Sequence, residues 1–97
     1  MDFEGKNVFV TGAGGYIGSF TAKEFASRGA KVTVFDQNAA GVKKTVDEIN
    51  AAGGTAIGVT GDVTSSASVD EAVKSAVERM GGLDIMVHAA GGCPDGL

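Results

Sequence analysis

Residues 7–20 read NVFVTGAGGYIGSF: a short β-branched apolar run stops at a cluster of glycines, and helical character starts directly after it. A strand that hands over to a helix through glycines has a mechanical use. The start of a helix presents unpaired N–H groups and a partial positive charge of about +0.5, both suited to a phosphate. A turn that binds nothing fits the same pattern, because glycine turns occur in any parallel sheet. The rest of the chain has to separate the two readings.

Working outward, four apolar runs alternate with three segments of helical period. The runs are KNVFVT (6–11), KVTVFD (31–36), TAIGVT (55–60) and LDIMVH (83–88), each of ordinary strand length. Most are apolar on both faces, as strands are when helices cover both sides of a sheet. In the third helical segment Val69, Ala72, Val73, Ala76, Val77 and Met80 form one apolar stripe. Ser68 and Glu71 are spaced there as a capping box, and Gly81 and Gly82 close the segment. The second segment puts Val42, Val46 and Ile49 on one face, and the first puts Ile17, Phe20 and Phe25 on its apolar face. A β-α-β-α-β-α-β order with short connections predicts an α/β fold: a four-stranded parallel sheet with three right-handed crossover helices. In the doubly wound pattern its strand order is 3-2-1-4, and a ligand belongs in the crevice between strands one and four.

Ninety-seven residues make a single domain, 1–97, without room for a second. A net charge of −4, with eight Lys and Arg scattered among twelve acids, argues against nucleic acid as a partner. No apolar run reaches the ~18 residues of a membrane span, and MDFEGK lacks a basic secretion-signal start, so a cytoplasmic protein is expected. The lone Cys93 has no internal disulfide partner and no metal-ligand spacing around it.

The glycines at 12, 15 and 18 fit a G-x-x-G-x-x-G spacing, with Gly14 extra. Gly12 allows the tight turn, Gly14 or Gly15 the close approach of backbone to phosphate, and Gly18 the packing of helix on strand. Asp36 ends the second strand about 20 residues further on, where a carboxylate accepts hydrogen bonds from an adenosine ribose. The plainer alternative for Asp36 is a solvated acid capping the next helix. A ribose 2′-phosphate would meet that carboxylate, and Gln37 and Asn38 bring no positive charge, so NAD is favoured over NADP.

These features together resemble the short-chain dehydrogenase/reductase family. The resemblance runs from Lys6 to about Gly92 and rests on VTGAGGYIG, the strand-end Asp36, GDV at 61–63 and GGLDIMVHAAG at 81–91, all in the family's order. It implies a partial Rossmann fold. It also implies a pyrophosphate site at Gly12, Gly15, Gly18 and the backbone around Tyr16 and Ile17, with Asp36 and the adjacent Gln37 at the adenosine ribose. Asp62 would bond the adenine amino group with Val63 stacking beside it, and Ala90 and Gly91 would pass along the nicotinamide-side ribose. An Asx-type turn accounts for Asp62 equally well.

Two departures qualify the match. The glycine spacing is closer to the family's extended branch, which includes sugar-nucleotide epimerases, and a glycine of the shorter branch is replaced by Tyr16. Strand four reads His88, Ala89, Ala90, Gly91 where Asn-Asn-Ala-Gly is usual. The family's reaction needs a Tyr-x-x-x-Lys pair and a Ser, which in the family follow this region. Here Tyr16 is the sole tyrosine and Phe20 stands four residues on, so Tyr16 is read as packing or backbone support. Ser65, Ser66 and Ser68 are explained by capping. No residue is put forward as catalytic or as a metal ligand, and His88 is read as structural.

The expected function is therefore the NAD-binding portion of an oxidoreductase of alcohols and carbonyls, not catalytic as this chain alone. Alternatives are a non-catalytic nucleotide-binding or partner-binding module, and the N-terminal half of a nucleotide-sugar epimerase or dehydratase. An open outer edge on strand four makes a homodimer, or a partner chain, expected there.

Overall fold

The computed structural model describes residues 3–62 and 64–88. Its elements are β1 (Asn7–Thr11), α1 (Tyr16–Ser27), β2 (Lys31–Asp36), α2 (Ala39–Ala51), β3 (Thr55–Thr60), α3 (Ser66–Met80) and β4 (Ile85–His88). The strands form one sheet in the order β3-β2-β1-β4, all parallel, as the alternating pattern predicts.

The register fixes which side chains share a face. Val8 lies opposite Val32 and Ile85, and Val10 opposite Val34 and Val87. These valines point to the side covered by α1 and α2, where they meet Ala22, Ala26, Val42 and Ile49 in the larger core. Phe9 and Phe35 point the other way, under Ala72 and Ala76 of α3, with ring centroids 5.5 Å apart. Burying each such Val or Phe contributes roughly 1.5–3 kcal/mol. One helix against two leaves the second face thinner: Val77 and Met86 remain 39% and 37% exposed.

The apolar face expected for α1 is the wrong one. Ile17 and Phe20 are 63% and 68% exposed, and the buried stripe is Gly18, Ala22 and Ala26. Small residues at i, i+4 and i+8 let the helix axis approach the sheet more closely than bulky side chains permit, so size outweighs hydrophobicity here. Phe25 is half-buried and packs on Phe3 with its ring tilted by 57°. Of the two roles read for Tyr16, packing fails, since its side chain is exposed, and backbone support is left.

The start of α3 differs as well. The cap is Ser65, whose hydroxyl accepts from the Ser68 amide, so Ser68 lies inside the first turn and no capping box forms between Ser68 and Glu71. Ser68 instead accepts from the Asp62 amide at 2.9 Å. β4 begins at Ile85, two residues later than expected, because Asp84 turns its carboxylate onto the Asn7 amide at 2.8 Å. Lys23 of α1 and Glu48 of α2 pair across the helices, and this pairing holds the Glu48 carboxyl below its ordinary range. Both side chains are about 40% exposed, so the pair adds little to stability. No helix among the described residues is long and apolar enough to cross a membrane.

Candidate functional site

The chain leaves β1 through Gly12 at φ 71°, a left-handed conformation that favours glycine. The Gly12 carbonyl then accepts from the Gly15 amide at 3.1 Å, which closes the turn. Gly18 packs on that carbonyl so closely that a Cβ would lie 2.0 Å from its oxygen. The remaining two glycines separate cleanly. A Cβ at Gly14 would meet the Asp36 side chain at 3.1 Å, whereas at Gly15 the nearest atom is 3.5 Å away. Gly15 is therefore the open position of the turn.

Gly15 is also the N-cap of α1, and no side chain caps it. The other two helices differ: Asn38 accepts from the Gly41 amide at α2, and Ser65 from the Ser68 amide at α3. The first N–H groups of α1 thus start at an exposed turn flanked by the exposed Tyr16 and Ile17. Such an end is chemically matched to an anion.

Asp36 is drawn into the same place. Its Oδ2 accepts from the Gly14 amide at 3.1 Å and its Oδ1 from the Asn38 amide at 3.0 Å. The carboxylate braces the glycine turn and also fixes Asn38, which is the residue that caps α2. Gln37 follows it, exposed to solvent. The Asp36 carbonyl accepts from Gly61, which places Gly61 and Asp62 beside it at the carboxyl end of β3.

Asp62 forms the Asx-type turn: its Oδ1 accepts from the Thr64 amide at 2.9 Å and from the Thr64 hydroxyl at 2.7 Å. The hydroxyl bond, with the amide bond behind it, lowers the carboxyl from its ordinary pKa. Gly12, Gly14, Gly15, Tyr16, Ile17, Gly18, Asp36, Gln37 and Asp62 accordingly line the carboxyl ends of three neighbouring strands. Val63, Ala90 and Gly91, expected to complete the site, and Cys93 lie outside the described residues. On the far side of β1, the buried Thr11 hydroxyl lies 3.3 Å from His88 Nδ1 and 3.4 Å from the Val87 carbonyl, tying His88 to the sheet.

Sequence reasoning missed the part played by α2. Thr45 is buried and its hydroxyl donates to the Ala13 carbonyl inside the glycine turn at 3.0 Å. Gly41 lies against the turn as well, and a Cβ there would come within 2.5 Å of the Gly14 carbonyl oxygen. A threonine on the apolar face of an amphipathic helix is the one signal that pointed to this contact.

This geometry has close counterparts. An uncharacterised oxidoreductase of Thermotoga maritima is 46% identical over 96 residues, covering 99% of this chain and 38% of its own length. The crystal structure of hydroxysteroid dehydrogenase from Escherichia coli superposes with a TM-score of 0.89 at 40% identity, over 93% of this chain and 38% of that one. The 3-ketoacyl-(acyl-carrier-protein) reductase from Brucella melitensis, solved in complex with NADH, gives 0.79 at 40% identity, over 87% and 33%. The chain thus spans less than two-fifths of the length of these relatives. Residues 6–96 match the sequence model of the family described as short chain dehydrogenase, and on that match, the shared fold and the glycine turn, the chain belongs to the short-chain dehydrogenase family.

Proposed function

We propose that this chain is the NAD-binding portion of an oxidoreductase that transfers hydride between a nicotinamide dinucleotide and an alcohol or carbonyl. One observation carries the reading: α1 begins, without a side-chain cap, at an open glycine turn that a strand-end carboxylate braces. The turn fits a pyrophosphate because Gly15 leaves room where a side chain would stand, and Gly18 brings the helix start onto the strand. The backbone of Gly12, Gly14, Gly15, Tyr16, Ile17 and Gly18 holds the phosphates. Asp36 and Gln37 take the adenosine ribose, Asp62 and Val63 the adenine, and Ala90 and Gly91 the nicotinamide-side ribose.

Asp36 also selects NAD. A 2′-phosphate would be brought against a carboxylate with no cation at 37 or 38 to offset the repulsion. The bound dinucleotide supplies the hydride acceptor, and the residues named here bind and orient it. Calorimetric titration of the 97-residue chain with NAD, NADP and ADP-ribose tests the proposal. Saturable binding of NAD and ADP-ribose, with NADP much weaker, is expected, and absence of binding by a folded chain rejects it.

A further inference from the structure

We propose that Gly41 and Thr45 of α2 are positioning residues for the glycine turn, and that they set its affinity for a dinucleotide pyrophosphate without touching the ligand. The inference rests on the dinucleotide reading given above and adds a second wall to it. The turn is held from three directions. Its Ala13 amide donates to the Phe35 carbonyl at 3.1 Å, and its Gly14 amide to Asp36. The third hold comes from α2, where the Thr45 hydroxyl donates to the Ala13 carbonyl.

Gly41 governs how near α2 can stand. A Cβ there would lie 2.5 Å from the Gly14 carbonyl oxygen and 3.1 Å from Gly14 Cα, and both obstructing atoms belong to backbone. No rotamer change relieves such a contact, so the turn or the helix has to move. Asn38 fixes the same helix end through its bond to the Gly41 amide, so a displaced Gly41 disturbs the cap as well. Because Gly15 follows Gly14 directly and starts α1, movement at Gly14 is passed to the N–H groups that face the phosphate. Preorganised donors lose binding strength when their geometry is disturbed, even with the fold intact.

Three variants of the whole chain test this against ADP-ribose by calorimetry, with thermal unfolding followed in parallel. Thr45→Val keeps the side-chain shape and removes the hydroxyl, Thr45→Ser keeps a hydroxyl, and Gly41→Ala adds the obstructing carbon. Thr45→Val and Gly41→Ala are expected to weaken ADP-ribose about tenfold, as loss of a buried hydrogen bond does, with Thr45→Ser close to the parent chain. Ile49→Val, a core substitution at the far end of α2, lowers the unfolding temperature and leaves affinity unchanged. A purely structural role makes Ile49→Val and Thr45→Val alike in both readouts, which overturns the proposal. Parent-like affinity in both Thr45→Val and Gly41→Ala overturns it too and leaves the dinucleotide reading standing. A parent chain that does not bind ADP-ribose removes both.

Discussion

The Asp36 carboxylate accepts the Gly14 amide across 22 residues of sequence, at 3.1 Å. A side chain at the end of β2 therefore sets the conformation of the turn that ends β1. In the proposed dinucleotide complex the same residue takes ribose hydroxyls, so its removal should affect binding and selectivity together.

Asp36→Ala is accordingly expected to weaken NAD about tenfold, the scale of losing a hydrogen bond to a charged group. NADP should lose less, or gain, because the repelling charge has gone. Titration of both dinucleotides against parent and variant measures the ratio. An unchanged NAD-to-NADP ratio would mean that Asp36 serves only to brace the turn.

The glycines of the turn should separate in their effects. Gly18→Ala forces a carbon to within 2.0 Å of the Gly12 carbonyl oxygen, and urea unfolding should report a loss of about 2–3 kcal/mol. Gly15 has φ −90°, and a Cβ there would meet the Gly12 carbonyl oxygen at 3.5 Å, an ordinary contact, so Gly15→Ala should stay within about 1 kcal/mol of the parent. Its cost should appear in affinity for ADP-ribose instead, where the added methyl stands between backbone and phosphate. Equal destabilisation by the two substitutions would remove the distinction between a packing glycine and an approach glycine.

Much of this arrangement is written in the chain. The β-branched runs set the four strands and their parallel order, since short connections through helices leave little other choice. Asp36 was legible as a strand-end carboxylate about 20 residues past the turn, and Asp62 as the Asx-type turn that its bonds to Thr64 form. The face of α1 was not: Phe20 and Ile17 are the more hydrophobic residues, yet Gly18, Ala22 and Ala26 are buried because only small residues tolerate the close approach. Gly41 was invisible for a related reason, and Thr45 showed only as a threonine on the apolar face of α2. Their contacts with the turn span about 30 residues and depend on how closely two elements stand, which periodicity does not encode. The glycine spacing suggested a sugar-nucleotide enzyme, but the relatives found include a hydroxysteroid dehydrogenase and a ketoacyl reductase, which do not favour that alternative.

Thr64 should control the titration of Asp62. Its hydroxyl and amide both donate to the carboxylate, so the folded-state pKa lies below the unfolded one. The sign follows from linkage: the interaction stabilises the fold at neutral pH, and that contribution fades as pH drops below the ordinary carboxylate range through the folded value. Thr64→Val removes the stronger of the two bonds. Carboxyl carbon chemical shifts followed by NMR should show Asp62 titrating higher in the variant, and the stability gap between variant and parent should close in acid. A gap that widens in acid contradicts the assignment.

The outer edge of β4 has no strand beside it among the described residues, and the strand carries none of the charges that discourage edge pairing. Met86 on this strand and Val77 of α3, which covers β1 and β2 on the same face of the sheet, are each more than a third exposed. An edge of unpaired backbone groups next to apolar side chains favours pairing with another copy of the chain or with another polypeptide. Sedimentation velocity across a range of concentrations is therefore expected to show self-association. Met86→Lys should shift the distribution toward monomer, because a charge on an edge strand resists desolvation when a second strand adds. ADP-ribose binding should be unaffected, since Met86 pairs with Phe9 in mid-sheet and not with the turn. A parent chain that stays monomeric at every concentration and unfolds only at high temperature would show that this edge needs no partner.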